Sequence, residues 1–301
     1  MFKDTILSLV LLSWTVTAMS LEIDQRTEGV WWLNGEIVSG DYEKFLYTAK
    51  SAGALPDWVF LNSNGGDIID AMKLGELFRK SLITTNARVQ CDSACFIMWV
   101  GGVQRFTSDP IGMHRPFYDR KYFSELSADV AETEYKKLQT LTEKYLQRMD
   151  VPQHVIDTMI TVDSSEMLKV SPESIEKLIG RSPPAYREWI ISKCGTLSKE
   201  EENDYTTITS AESLPNLYIN KWDGDENAKQ FRLALITHAK ENKKRVSSFS
   251  PGYVEYLKEK APTVYVCTRK VTKGVRKSVF LELIGGNLGG HTFNKEKYEN
   301  D

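Results

Sequence analysis

Residues 61–75 read LNSNGGDIIDAMKLG, a sequence that changes from strand-like to helix-like at two adjacent glycines. The strand begins upstream in WVFLN, residues 58–62, which is apolar enough to be buried on both faces. We predict a helix from Asp67 to Lys80, because its apolar residues recur every three to four positions and Asp67 suits the capping position. A buried strand that leads through a tight turn into a helix is typical of α/β folds with a mostly parallel sheet.

The flanking sequence repeats this alternation of strand and helix. A strand ending near Val38 precedes a helix that carries Phe45 and Leu46, and the charged segment from Ala128 to Met149 predicts a long helix that ends before Pro152. Further predicted elements are a strand at 82–90, a short apolar helix within 91–100, brief strands at 103–106 and 111–114, and a helix near 155–160.

The first twenty residues have the features of a cleaved signal peptide. Lys3 precedes a short apolar run from Ile6 to Val16, and the small residues Ala18 and Ser20 follow it. The run is shorter than the roughly 20 residues of a membrane-spanning helix, so an uncleaved anchor is the weaker alternative. We therefore expect an exported protein, periplasmic or secreted, with no stable membrane insertion after cleavage.

The composition changes after the pair Pro183-Pro184, where we place a domain boundary. The mature chain then consists of a main domain at 21–184 and a C-terminal extension at 185–301. The extension contains an amphipathic stretch at 228–245 and a β-like segment at 263–286. We expect it to have an α+β structure, and its sequence indicates no role.

Charge and cysteine content limit the partners. A net charge of -3 and a pI near 5.9 give no reason to expect nucleic acid or an anionic membrane surface. An even number of cysteines in an exported protein allows disulfides. Cys91 and Cys95 either form a local disulfide or are buried small side chains, and Cys194 and Cys267 are the easier pair if the local one is strained. No zinc-binding spacing is present, and we predict no metal and no cofactor.

Three short segments contain candidates for chemistry. Ser93 stands in CDSAC (91–95), where a strand turns into a helix, and is either a helix cap or a nucleophile. His114 stands in GMHRP (112–116), at the end of a short strand, where it is either structural or a general base for Ser93. The Gly65-Gly66 pair is either a tight turn or a donor of backbone amides to a developing oxyanion.

In combination, these segments resemble the Clp protease proteolytic subunit and its relatives on the crotonase-like fold, particularly the exported members. The residues that carry the resemblance are LNSNGGD at 61–67, CDSAC at 91–95 and GMHRP at 112–116, in the family's order and with similar spacing. It covers about residues 30–180, where Leu33–Ile37 looks like the family's first strand and the long helix after His114 looks like its handle helix. The family has a proline where this chain has Asn64.

The resemblance implies a peptidase with a Ser-His-Asp triad and no cofactor, and an oligomeric assembly is usual on this fold. Ser93 would be the nucleophile and His114 the general base. The third residue would be Asp163, 49 residues after His114, with Glu166 as the alternative.

The resemblance also implies how the substrate would be held. The amides of Gly66 and Ala94 would form the oxyanion hole. Asn64, Gly65 and Arg115 would contact a peptide or an unfolded segment that lies extended against the sheet edge.

Two other functions compete with an exported serine peptidase. One is a relative that keeps the fold and the peptide groove as an interaction module without catalysis, which the uncertain aspartate and the large extension favour. The other is a crotonase-like acyl-thioester enzyme. The presence of both Ser93 and His114 argues against an acyl-thioester enzyme, because its chemistry needs no nucleophilic serine.

Overall fold

The computed structural model of the chain describes residues 20–27, 29–198 and 263–285. The predicted signal peptide, apart from Ser20, and the amphipathic stretch at 228–245 lie outside these residues. The described strands are β1 (Glu22–Thr27), β2 (Val30–Asn34), β3 (Trp58–Ser63), β4 (Thr84–Asp92), β5 (Gln104–Thr107), β6 (Ile111–Met113) and β7 (Leu168–Val170). The described helices are α1 (Asp41–Ala52), α2 (Ile68–Lys80), α3 (Ala94–Trp99), α4 (Arg120–Ser124), α5 (Ala128–Arg148), α6 (Gln153–Thr161), α7 (Pro172–Ile179), α8 (Pro184–Cys194) and α9 (Thr263–Gly285).

The strands form one seven-stranded sheet, which confirms an α/β fold with a mostly parallel sheet. The order is β1-β2-β3-β4-β6-β7, and β5 pairs with the first half of β4 while β6 pairs with its end. The pairs among β2, β3, β4, β5 and β6 are parallel, and only β1 with β2 and β6 with β7 are antiparallel. The carboxyl ends of β3, β4 and β6 therefore meet at one edge, where open parallel sheets place their ligands.

Aromatic side chains join the helices to this sheet. The ring of Phe45 on α1 lies 5.0 Å from that of Trp31 on β2 and 5.5 Å from that of Phe78 on α2. Val59 and Phe60 of β3 are both fully buried, as expected for a strand covered on both faces. Apolar burial on this scale is the dominant favourable term in folding, so the sheet and its covering helices fix the position of the loops at the edge.

The C-terminal segment corrects one prediction, because residues 263–285 form the helix α9 and not a β-like end. Threonine and valine favour strands only weakly, and tertiary packing overrides that preference. The buried residues recur with the helical period, and the last two join the main hydrophobic core: Thr268, Thr272, Arg276, Val279 and Leu283. Part of the predicted extension thus packs on the main domain. The boundary at residue 184 stays a prediction.

Both cysteine pairs lie at disulfide distance. Cys194 at the end of α8 pairs with Cys267 on α9, with 5.6 Å between their Cα atoms, and Cys91 pairs with Cys95 at 5.1 Å. Such pairs are consistent with an oxidising compartment. Among the described helices, none combines the length and the hydropathy needed to cross a membrane.

Two ion pairs join α9 to the main domain, and we expect them to contribute unequally to the free energy of unfolding. Arg276 pairs with Asp57, and its Nη1 donates to the Leu82 carbonyl at 3.0 Å; the Arg276 side chain is only 10% exposed. We expect Arg276→Met to lower the free energy of unfolding by roughly 2 kcal/mol, because it leaves both partners without their cation. Urea unfolding measures this change.

The matched control is Lys80→Met. Lys80 reaches Glu282 of the same helix at 2.8 Å, but both side chains are about half exposed, so its loss should cost less than about 0.5 kcal/mol. Equal effects of the two substitutions would contradict the importance of the buried contact.

Candidate functional site

Ser93 occupies a strained turn between β4 and α3. Its φ and ψ are 55° and -121°, in a region that costs a residue with a side chain of order 1–3 kcal/mol. The turn is held because the Ser93 amide donates to the Gly112 carbonyl at 2.9 Å and the Ser93 carbonyl accepts from the Phe96 amide at 3.0 Å. The side chain makes no capping hydrogen bond to α3. This rules out the helix-cap role for the hydroxyl.

The two glycines at the end of β3 are required by close backbone contacts. Gly65 has φ 106°, and a Cβ there would lie 2.7 Å from the Cβ of Ser93. Gly66 has φ 131°, and a Cβ there would lie 2.0 Å from the carbonyl oxygen of Ile37. The turn is clamped on that side, since the Ile37 amide donates to the Gly65 carbonyl at 2.8 Å and the Ile37 carbonyl accepts from the Asp67 amide at 2.7 Å. The glycine turn therefore lies directly against Ser93, with Asn64 exposed beside it.

Two backbone amides in these turns donate no hydrogen bond to another described residue. Within the described part of the chain, the amides of Gly66 and Ala94 have no hydrogen-bond acceptor. Ala94 is the first residue of α3, where the helix offers its amide no internal partner. These are the two amides that the resemblance assigns to an oxyanion hole.

His114 directly follows β6 and is only 7% exposed. Its Nδ1 lies 2.9 Å from the carbonyl oxygen of Arg115. Because a carbonyl oxygen only accepts, Nδ1 carries the proton and Nε2 keeps its lone pair. Burial lowers the pKa of His114 below its ordinary value of 6.5, while the Arg115 hydrogen bond and the charges of Asp92 and Asp163 oppose this change. The imidazole is therefore neutral at pH 7 and has the tautomer of a base that acts through Nε2.

The structure does not bring Asp163 into a hydrogen bond with His114. Its carboxylate lies 2.6 Å from Nη2 of Arg115, and it accepts from the amide and hydroxyl of Ser165 at 3.0 and 2.8 Å. Its charge reaches His114 only through space. Glu166, the alternative, makes a backbone bond from its amide to the Asp163 carbonyl at 2.9 Å. Arg115, predicted to bind substrate, is thus engaged by Asp163.

A small pocket that is open to solvent brings three of the candidate residues together. Ser93, Ala94 and His114 all line it. The rest of the lining is apolar except for Thr142 of α5 and comes from five elements and the loop after β6: Ile68, Phe96, Ile97, Met113, Pro116, Thr142 and Met159. The surroundings of Ser93 are therefore mainly apolar.

Sequence reasoning missed a buried carboxylate beside Ser93. Asp92 is 4% exposed and is paired with Nζ of Lys169 on β7, while its other oxygen accepts from the Gln90 side chain at 2.8 Å. The available signal was an acidic residue immediately before the serine. Its partner could not be placed, because β7 has only three residues and no clear strand pattern.

Comparisons with known proteins find similarity among solved structures alone. No protein-family model matches the chain, and no curated protein matches it. Among solved structures, the chain is similar to a serine-to-alanine mutant of the membrane-bound stomatin-specific protease 1510-N. The TM-score is 0.35 at 17% identity, and the match covers 55% of this chain and 83% of that chain. A likeness at this level assigns neither a reaction nor a residue to this protein.

Proposed function

We propose that the protein is an exported serine peptidase of the Clp-like type, with Ser93 as nucleophile and His114 as general base. The observation that carries the proposal is the shared pocket: Ser93, in a strained turn and without a capping role, lines it together with a buried neutral histidine and Ala94. Strained backbone of this kind clusters at active sites.

The proposed reaction begins with attack of the Ser93 hydroxyl oxygen on a peptide carbonyl. Nε2 of His114 takes the hydroxyl proton, while its Nδ1–H stays on the Arg115 carbonyl. The new oxyanion accepts hydrogen bonds from the amides of Gly66 and Ala94, whose positions are set before the substrate arrives. The imidazolium then protonates the leaving amine, and water repeats the sequence on the acyl-enzyme.

The mainly apolar lining around Ser93 favours a peptide substrate with an apolar side chain next to the cleaved bond. Asn64 and Gly65 lie beside Ser93, where an extended backbone would run. An exported enzyme has no ATP-driven partner to unfold its substrates, so short or already unfolded chains are the proposed class. A homo-oligomer and a functional boundary at residue 184 remain part of the proposal.

One observation favours a second function, a peptide-binding module without catalysis. Asp163 is engaged by Arg115 and Ser165, so the histidine has no hydrogen-bonded carboxylate among the described residues. In triads, loss of the proper carboxylate lowers kcat by about 10⁴.

Labelling with a fluorophosphonate probe separates the two functions. We expect covalent labelling of the purified, oxidised protein and none in the Ser93→Ala variant, detected as a mass increase of one adduct on the peptide that contains Ser93. Absence of labelling in folded protein, together with peptide binding measured by fluorescence anisotropy, would instead support the binding module.

A further inference from the structure

Asp92 is a buried carboxylate next to Ser93, and the sequence analysis assigned it no role. It ends β4 immediately before Ser93 and pairs with Gly112 on β6, two residues before His114. A Cβ at Gly112 would lie 2.1 Å from Oδ1 of Asp92. The carboxylate therefore fills the space that a side chain at Gly112 would take, against the strand that leads directly into His114.

The surroundings of the two carboxylates near His114 differ. Asp92 is 4% exposed, whereas the Asp163 side chain is 46% exposed and faces Arg115. A buried charge is screened less by solvent and salt than an exposed one. Both carboxylates raise the pKa of His114, and Asp92 does so more than Asp163.

Lys169 is the cationic partner of the buried Asp92. Its Nζ contacts Oδ1 of Asp92, and its side chain is 48% exposed, so the ammonium group keeps access to water. A buried carboxylate with one charged partner and a second hydrogen bond, here from Gln90, avoids the cost of an unpaired charge.

We infer that Asp92, held by Lys169, is the positioning residue that supports His114. This is the role that the resemblance assigns to Asp163. The inference rests on the proposed function where it treats His114 as the base. The charged groups that face the histidine are Asp92 from β4, Asp163 from the loop after α6, and Arg115 from its own loop, with Lys169 of β7 behind Asp92. Asp92 stabilises the imidazolium that forms when Ser93 loses its proton.

The test is an NMR titration of the His114 ring in the full protein, assigned by the signal that disappears in His114→Gln. Removal of a nearby anion destabilises the imidazolium, so Asp92→Asn should lower the pKa of His114 by roughly half a pH unit or more. Lys169→Met should raise it, because the charge of Asp92 is then no longer balanced. Asp163→Asn, the matched control, should lower it by less than Asp92→Asn does.

Two results would overturn the inference: a larger decrease from Asp163→Asn than from Asp92→Asn, or a pKa of His114 that does not rise in Lys169→Met. If Asp92→Asn does not fold, the half-exposed Lys169→Met variant decides. The titration does not depend on catalysis. A protein that fails to label at Ser93 but shows these opposite changes would refute the proposed peptidase and still support the role of Asp92 beside His114.

Discussion

Replacing His114 with alanine is expected to lower the rate of fluorophosphonate labelling at Ser93 by two to four orders of magnitude, roughly the contribution of a positioned general base. The serine hydroxyl is a weak nucleophile at neutral pH, and within the pocket His114 is the group with a free lone pair at Nε2. The measurement is the second-order rate constant of labelling by mass spectrometry. His154→Ala is the matched control, because His154 is exposed on α6 and should leave the rate unchanged.

The role of His114 as a base also predicts how the rate of labelling at Ser93 changes with pH. Only neutral His114 can accept the proton of Ser93, and burial lowers the pKa of this histidine below 6.5. Labelling should therefore be at its full rate at pH 7 and decline as the pH falls through a midpoint below 6.5. In His114→Ala, the residual rate should not show this decline. A midpoint above 6.5 would contradict a base in this environment.

The sequence predicted the helices and strands well where a single strong hydrophobic pattern covers the whole element. The strand at 58–63 and the helix after Asp67 follow from a continuous apolar run and a three-to-four residue period, and the Asp67 side chain does cap α2 by accepting from the Asp70 amide at 2.8 Å. The β-like prediction for residues 263–285 was wrong. Eight of the 23 residues of α9 are valine or threonine, which favour strands, whereas α9 packs on residues more than 180 positions away, such as Asp57 and Leu82.

For the candidate site, the sequence predicted which backbone segments lie together but not which side chains pair. Ser93, the glycine pair and His114 each end or follow a strand, and parallel strands bring their carboxyl ends together whatever the side chains do. The third residue depends on competition between side chains. Arg115, next to His114 in sequence, engages Asp163, and Lys169 enters through the short strand β7 to pair with Asp92. Sequence spacing contains no information about either ion pair.

The second large effect is expected for Gly66→Ala, which should lower both the free energy of unfolding and the rate of labelling at Ser93. The new Cβ would lie 2.0 Å from the Ile37 carbonyl oxygen, a backbone atom that the Asp67 amide already holds. The turn must move, so the free energy of unfolding should fall by roughly 4 kcal/mol or more. In protein that remains folded, displacement of the Gly66 amide should slow labelling at Ser93 by about 10²-fold or more, the usual loss for one oxyanion donor.

Gly40→Ala isolates the cause, since Gly40 also has a positive φ, 97°, but a Cβ there would meet nothing within 4 Å. This control carries the backbone strain alone, of about 1–2 kcal/mol, and should label at the normal rate. Urea unfolding and the labelling rate, measured on both variants, separate strain from contact. If the two variants lose equal stability and label equally fast, the glycine turn is only a turn. A large difference in both measurements would mean that the close approach of Gly66 to Ile37 sets the position of the amide that faces the developing oxyanion.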